Sequence, residues 1–358
     1  VVEKINIKKA GNDSELLTKH DVGLDKSKFK KFLLDSGLWS YFRQRPFSKV
    51  PDPDVVPRAI FLSMHQTAPF SLDLEHVFEN NKNEILEGLN LLSSLTDGKV
   101  FLSLKKGSTF FDEFDLEGLN INYFAGPHPS GNIGVQIHHI EPISSSTDLV
   151  YYLSIQDLVS IVKTFKSGAY DFKKIISCGG SGLKKPSYYR VNRGFQIKDI
   201  VGELDNEKYR ILSGDVLSGS VSKSDDSLNS FDEVLTVIPE LIEREFVGWA
   251  LPGFKKYSLS NTFLSSAVGL NETDLNTGLN GSIRAIIPFG RWEKMLPMDI
   301  YPDFLVKSIL CQDIEEMEKL GIYECDPEDF ALCAFSCQSK IEVSRIIEEG
   351  LIFIEAEG

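Results

Sequence analysis

The chain is 358 residues long, with 42% hydrophobic and 25% charged residues, which is room for two or three domains that each bury a core. A formal net charge of −14 argues against a nucleic-acid partner, which calls for a basic face, though it leaves room for docking on a membrane complex through a local patch. No run approaches the roughly 18 uninterrupted apolar residues of a membrane span, and five irregularly spaced cysteines favour a reducing compartment over a disulfide framework, so the composition predicts a soluble, cytoplasmic, multi-domain protein.

Val1–Ile7 reads as a strand, with no signal peptide and no initial Met, as expected of a piece cut from a longer polypeptide. Residues 1–20 are expected to be the tail of a preceding domain. A helix is predicted from about Asp25, with Phe29, Phe32, Leu33 and Ser36 on one face and Gly37 closing it. The aromatic and cationic segment Leu38–Lys49 follows, and four prolines between Pro46 and Pro57 predict extended chain. Arg58–Met64 reads as a buried strand and Ser71–Leu95 as an amphipathic helix. Val100–Leu104 and Leu119–Phe124 are two further strands, and Leu149–Leu153 with a helix over Ile155–Lys166 completes the series. Strands alternating with helices in this way predict a Rossmann-like parallel α/β domain over 21–168. Beyond Gly168 the runs Lys174–Cys178, Tyr188–Val191 and Tyr209–Leu212, with a short helix within Phe195–Val201, predict an α+β unit. That unit, with a β-rich extension to about Phe289, spans 169–290. From Pro302 the pattern is helical, over Phe304–Leu310, Asp313–Leu320, Glu328–Phe335 and Ile341–Ile347, giving a C-terminal helical domain over 291–358.

Three groups of residues invite chemistry. In the run Pro327–Ile341, Cys333 and Cys337 keep the x3 spacing that ends a ferredoxin-type cluster motif, but Pro327 and Phe330 stand at the two upstream ligand positions and Cys325 is out of register. Two thiols of four, with no nearby His to replace the others, predict packed cysteines and no metal. The glycines of Gly126–Gly134 and Gly179–Gly182 lack the strand–GxGxxG–helix fingerprint, and the prolines of the first remove amides that an anion would need, so tight turns are expected of them. His128, His138 and His139 lack a completing carboxylate or cysteine pattern. If the adjacent pair lay in a strand, its two rings would face opposite ways.

Several words, in order along nearly the whole chain, resemble the NqrA family of the Na+-translocating NADH:quinone reductase (Nqr) complex. They are Ser36-Gly37-Leu38-Trp39, Arg45-Pro46-Phe47-Ser48-Lys49-Val50-Pro51, Ala59-Ile60-Phe61, Phe124–Gly131 and Ser213–Gly219. Later come Glu243-Arg244-Glu245 with Gly248-Trp249, Arg284–Pro288, Met295–Ile300 and Leu332–Lys340. The resemblance implies a peripheral subunit on the cytoplasmic side of the bacterial inner membrane, lacking an N-terminal domain of roughly a hundred residues, within ordinary domain sizes. It also implies kinship to the RnfC subunit and to the flavin subunit of complex I. The expected order is then a Rossmann-like domain, an SLBB (ubiquitin-like β-grasp) domain, and a helical domain resembling a cluster domain without its cluster. Implied partners are the other Nqr subunits, above all the membrane-embedded NqrB, with ubiquinone as substrate and no bound cofactor. The run His65–Phe70 departs from the family, which usually has Asp and Asn where this chain has Gln66 and Ala68.

The family's quinone-contacting region matches Phe42–Lys49. Phe42 and Phe47 could offer faces to a planar ring, Arg43, Arg45 and Lys49 could serve its carbonyls or stabilise negative charge, and Pro46 beside Ser48 would stiffen the loop. The same residue types anchor protein interfaces, so quinone contact and subunit docking stand side by side. His128 and His138 form a second tier as donors to a quinone oxygen. The rival readings of the whole chain are an electron-entry subunit carrying flavin or an iron–sulfur cluster, and a pure scaffold.

Overall fold

The computed structural model describes residues 26–358 except 184, 203, 206, 242–246, 249, 255 and 269–275, so the strand expected at Val1–Ile7 lies outside the described residues. Helix α1 (Lys26–Asp35) buries Phe29, Phe32 and Leu33, and Gly37 at φ +72° reverses the chain after it, a conformation that favours glycine. Strand β1 (Arg43–Arg45) leads through the proline-rich stretch to β2 (Ala59–Ser63). The helix expected over Ser71–Leu95 is interrupted. Asp73 caps a short α2 (Leu74–Val77), the polar Glu79–Asn81 forms a 3-10 turn, and α3 (Lys82–Leu92) resumes. Asparagine side chains compete with the helical backbone for hydrogen bonds, which fits a break at that point.

Strands β3 (Lys99–Lys105) and β4 (Asn120–Phe124), helix α4 (Ile133–Ile140), strand β5 (Val150–Tyr152) and helix α5 (Ile155–Ser167) complete the first layered unit. Its sheet has the order β1-β5-β2-β3-β4, parallel throughout except for the antiparallel edge strand β1. Both faces of β2 are covered. Ile60 and Leu62 join one apolar cluster with α1, α3 and α5, while Ala59 and Phe61 point the other way.

A second sheet is built from β6 (Lys173–Gly179), β7 (Ser187–Asn192), β8 (Tyr209–Ser213), β9 (Ser220–Ser222) and β10 (Val234–Pro239), in the order β7-β6-β10-β8-β9. Only β6 and β10 run parallel, and the short α6 (Lys198–Val201) covers part of one face. The β-rich extension expected up to Phe289 is corrected here. After Pro239 no strand occurs among the described residues, and α7 (Ser265–Val268) is a single turn. That stretch is interrupted by prolines and glycines, which disfavour strand pairing.

The chain ends in α8 (Pro302–Cys311), α9 (Ile314–Lys319), α10 (Ala331–Ser336) and α11 (Val343–Glu357). These helices share a core with the first sheet. Phe61, Phe101 and Val150 belong to the same cluster as Leu305, Phe330, Ile347 and Ile354. The first sheet is therefore the middle of three layers, with the C-terminal helices and α4 forming the third. No helix among the described residues is long and apolar enough to cross a membrane.

Candidate functional site

Residues 43–49 form the junction at which these parts meet. Arg43 lies on edge strand β1, and its guanidinium stacks on the ring of Phe231 from the second unit, 3.3 Å from the ring centroid. After the cis Arg45–Pro46 bond, Phe47 and Ser48 take positive φ, and Gln44 bridges Lys49, so the chain doubles back in a tight hairpin. That hairpin reaches the C-terminal helices. Ser48 donates to Asp326, Lys49 pairs with Glu355, and the ring of Phe47 meets Tyr323 edge-on at 6.2 Å.

Two of the residues matched to quinone contact are turned inward. Phe42 is fully buried, packed between Trp39 and Tyr151 at 5.3 and 6.5 Å, so its ring faces the protein core and offers no surface to a ligand. Arg45 is 1% exposed. It donates through Nη2 to the carbonyl of Glu324 at 2.8 Å, and its Nη1 lies 3.1 Å from Asp326 Oδ2. Burial works against its charge, but Asp326 and Asp329 outweigh that and hold the guanidinium above its usual range. Pro46 is buried, Arg43, Phe47 and Ser48 are half-buried, and Lys49 is exposed.

Asp329 completes this centre. Its Oδ1 accepts from Asn132 Nδ2 at 3.1 Å, and the space it fills sets a neighbour's identity: a Cβ on Gly134 would lie 2.0 Å from Asp329 Oδ2 and 3.1 Å from Arg45 Nη1. Burial pushes the Asp329 carboxyl up, Asp326 adds to this, and Arg45 with Asn132 opposes it. Asp326, Asp329, Glu324 and Asn132 belong to no motif, yet a signal exists. Between Lys319 and Lys340 the chain carries Glu324, Asp326, Glu328 and Asp329 and no basic residue, an excess that calls for a counter-ion from elsewhere. Arg45, remote in sequence, supplies it.

The histidines are tied to structural partners. His138 and His139 lie on helix α4, which corrects the strand considered from the sequence. His138 Nε2 accepts from the backbone N–H of Asp299 at 3.0 Å, so Nδ1 carries the proton and donates to Glu324 at 2.6 Å. His139 Nε2 donates to the carbonyl of Pro297 at 2.8 Å. Together they fasten α4 to the chain that enters α8. His128 sits in the loop after β4. Thr67 Oγ1 accepts from Gly131 N–H at 2.9 Å and so turns its own hydrogen toward His128 Nδ1 at 3.2 Å. Burial pushes the His128 imidazole below its usual value, with Asp215 opposing. The equivalent argument at His65 makes Nε2 the donor, since the Ser130 hydroxyl already donates to Gly126 O.

In an open parallel sheet, ligands take the crevice at the carboxyl ends of the strands where the strand order reverses, here between β2 and β5. Glu233, just before β10, lies across it, accepting from Gln66 Nε2 after β2 and from Gln156 Nε2 after β5, each at 3.1 Å. The second glycine run is filled by close packing. Phe70 lies against Gly179, and Gly180 at φ +104° lies against the carbonyl of Val237. These residues do not fit a dinucleotide or flavin phosphate.

Cys325, Cys333 and Cys337 are buried in the cluster shared with the first sheet. Their sulfurs have separate backbone partners: Cys325 Sγ donates to Gly321 O, Cys333 Sγ donates to Trp292 O, and Cys337 Sγ accepts from Ile341 N–H. Burial pushes the Cys333 thiol up to about 12, with Glu293 and Asp303 adding to it, the opposite of what a thiolate ligand needs. Among the described residues no group of three or more His, Cys, Asp or Glu side chains is placed to hold a metal ion.

Known proteins share this architecture in sequence. Residues 24–170 match the family model described as the NqrA second alpha/beta domain, and residues 175–224 match that of the NQRA C-terminal domain. The chain is 35% identical to the NqrA subunit of the Na(+)-translocating NADH-quinone reductase of Marinomonas sp., over 100% of this chain and 81% of the relative. It is 36% identical to that of Rhodopirellula baltica, over 94% and 74%. Among solved structures, an NAD+-reducing [NiFe]-hydrogenase in the H2-reduced state aligns with a TM-score of 0.46 and 11% identity over 92% of this chain and 62% of that one, too distant a likeness to bear on function.

Proposed function

This chain belongs to the NqrA family of Na(+)-translocating NADH-quinone reductase subunits, and from that premise we propose that it works by binding, as a peripheral subunit that caps the membrane-embedded NqrB on the cytoplasmic face of the inner membrane and helps shape a ubiquinone site, without a redox centre of its own. Its α/β unit is then Rossmann-like over 21–168, the second unit SLBB-like over 169–290, and the helical part spans 291–358.

The observation that carries the quinone reading is the hairpin at residues 43–49. It keeps Phe47 half-buried and Lys49 exposed, with Lys49 Nζ 5.5 Å from the Phe47 ring centroid, while the buried Arg45 pair fixes the turn beneath them. A flat apolar ring can lie against Phe47, and Lys49 or Arg43 can donate to its carbonyl oxygens. Phe42 and Arg45 hold the hairpin in place and do not touch the ligand. The inward burial of those two residues also favours a second reading, in which the segment is scaffold alone.

Photolabelling of the assembled complex with an azido-quinone separates the two. Label in the Pro46–Lys49 peptide, together with a raised quinone KM in Arg43→Ala and Lys49→Ala complexes, supports contact. An unlabelled hairpin with unchanged KM in a fully assembled complex leaves the scaffold.

A further inference from the structure

Behind the hairpin, Arg45 faces more negative charge than it can balance. It pairs with Asp326 and lies beside Asp329, while Glu328 adds a third carboxylate on the solvent side. The other groups around this cluster do not make up the difference. Glu324 is engaged by His138 Nδ1, and Asn132 reaches Asp329 Oδ1 only as a neutral amide. Burial pushes the Tyr152 phenol and the Cys325 thiol up, so both stay neutral, and Asp215 of the second unit adds further negative charge. Lys49 is turned away, toward Glu355. Asp329 Oδ2, in a residue 1% exposed, has no hydrogen-bond partner. Such an oxygen is costly as part of an anion and stable as part of a neutral acid. A hydrogen-bonded path leads from this cluster to the hairpin: Asp326 Oδ2 accepts from Ser48, and Ser48 Oγ accepts from Tyr152 at 3.4 Å. In the chain, Ser48 stands between Phe47 and Lys49.

We propose that the Asp326–Asp329 pair stores one proton and that Ser48 hands it to a carbonyl oxygen of the bound quinone. This rests on the reading of residues 43–49 as a quinone surface. Reducing a quinone to its quinol takes two electrons, which the enzyme named for this family draws from NADH, and two protons, and it turns two C=O groups into C–OH. In the resting arrangement Ser48 donates to Asp326, so the stored proton sits on Asp329. During reduction it passes to Asp326 and from there to Ser48 Oγ, whose own O–H bond breaks as the first quinol O–H bond forms. Water refills the pair past the exposed Glu328, and water at the other carbonyl supplies the second proton. Ser48 is the catalytic residue, because it touches the substrate, and the two aspartates act through it. Burial raises the Asp329 carboxyl to about 7, Asp326 adds to this, and Arg45 and Asn132 oppose it, so the store is partly filled at neutral pH.

The test uses the whole complex. Ser48→Ala is expected to lower kcat for quinone reduction by about tenfold or more with little change in quinone KM, since positioned proton donors contribute about 10²–10⁴-fold and water replaces part of that. Ser48→Thr keeps the hydroxyl and should restore most of the rate. In the unmodified complex kcat should fall as the pH rises through about 7, where the pair loses its proton. Asp329→Asn has the shape of the neutral acid but no proton to give, so it should lower kcat and remove that alkaline limb. If Asp329→Asn does not assemble, the Ser48 variants decide the matter alone. An unchanged kcat in Ser48→Ala, with azido-quinone label still found in the Pro46–Lys49 peptide, overturns the relay and leaves quinone contact standing. A raised KM with unchanged kcat also overturns it, making Ser48 a binding contact only. An unlabelled hairpin in the unmodified complex overturns the relay and the quinone reading together.

Discussion

The two five-stranded sheets contain similar amounts of strand and are held in different ways. In the first, β2 and β3 are buried along almost their whole length, because helices cover one face and α4 with the C-terminal helices covers the other. In the second, β7 and β9 are made of exposed and half-buried residues, and the apolar cluster contains seven buried side chains among the described residues. A mostly parallel sheet needs cover on both faces, whereas an antiparallel one can leave a face wet. The first sheet is thus the element on which the rest of the chain is assembled, and the second is an attachment positioned against it through Glu233 and Phe231.

The sharpest way to break this contrast is to empty the first sheet. Phe61→Ala removes a ring stacked on Phe101 at 4.9 Å between two layers, and should cost about 3–5 kcal/mol in denaturant unfolding. The protection of amides in β2 and α11 should fall together. If α11 keeps its protection, the C-terminal helices have an independent core and the three-layer reading fails. Arg45→Ala tests the junction, since it leaves Asp326 and Asp329 without their counter-ion; a loss of about 3–5 kcal/mol is expected, with Arg45→Lys recovering only part of it. Gly134→Ala forces a methyl group onto the Asp329 carboxyl and should cost about 1–3 kcal/mol.

Asp303 gives a smaller, pH-dependent effect. Burial and the neighbouring Glu293 raise its carboxyl to about 6, with Lys307 opposing. The folded state therefore binds a proton more tightly than the unfolded chain does. The stability this confers is complete below the unfolded value of 3.8 and is lost as the pH rises through about 6. Asp303→Asn should accordingly stabilise the chain by about 1–2 kcal/mol at pH 7.5 and by little at pH 4, read from melting curves at the two pH values. At the low end, Lys49→Ala breaks an exposed pair with Glu355 and should change stability by less than about 0.5 kcal/mol. A larger loss would mean that Lys49 is structural and would weaken its place at a quinone surface.

Much of the fold was legible because period and capping are local. Strands β2 to β8, α5 with its closing Gly168, and the four C-terminal helices lie near the expected positions, whereas the sequence marks no strand at β1 and sets no bounds for β9 or β10. The break within 71–95 is hidden because the apolar stripe runs through Glu79–Asn81 without loss of phase. The extension to Phe289 is apolar enough for strand, but strands also need neighbours to pair with, and composition does not report those. At the junction, the aromatic and cationic content of Phe42–Lys49 marks the segment but carries no direction. Phe42 and Lys49 are seven residues apart, and one is in the core while the other is in solvent.

By itself the sequence determined the alternation of strand and helix, the reading of Cys333 and Cys337 as packed thiols, and the words that place the chain in its family. Those rest on short-range spacing and on residue types that mean the same thing wherever the chain goes. Only the tertiary structure decided that Arg45 neutralises an acidic run near residue 326, that Glu233 spans the crevice of the first sheet, and that the C-terminal helices share the core with Phe61. Each of those depends on which distant side chain meets a buried charge or an uncovered apolar face. Local periodicity sets that a partner is needed; the packing of the whole chain sets which one it is.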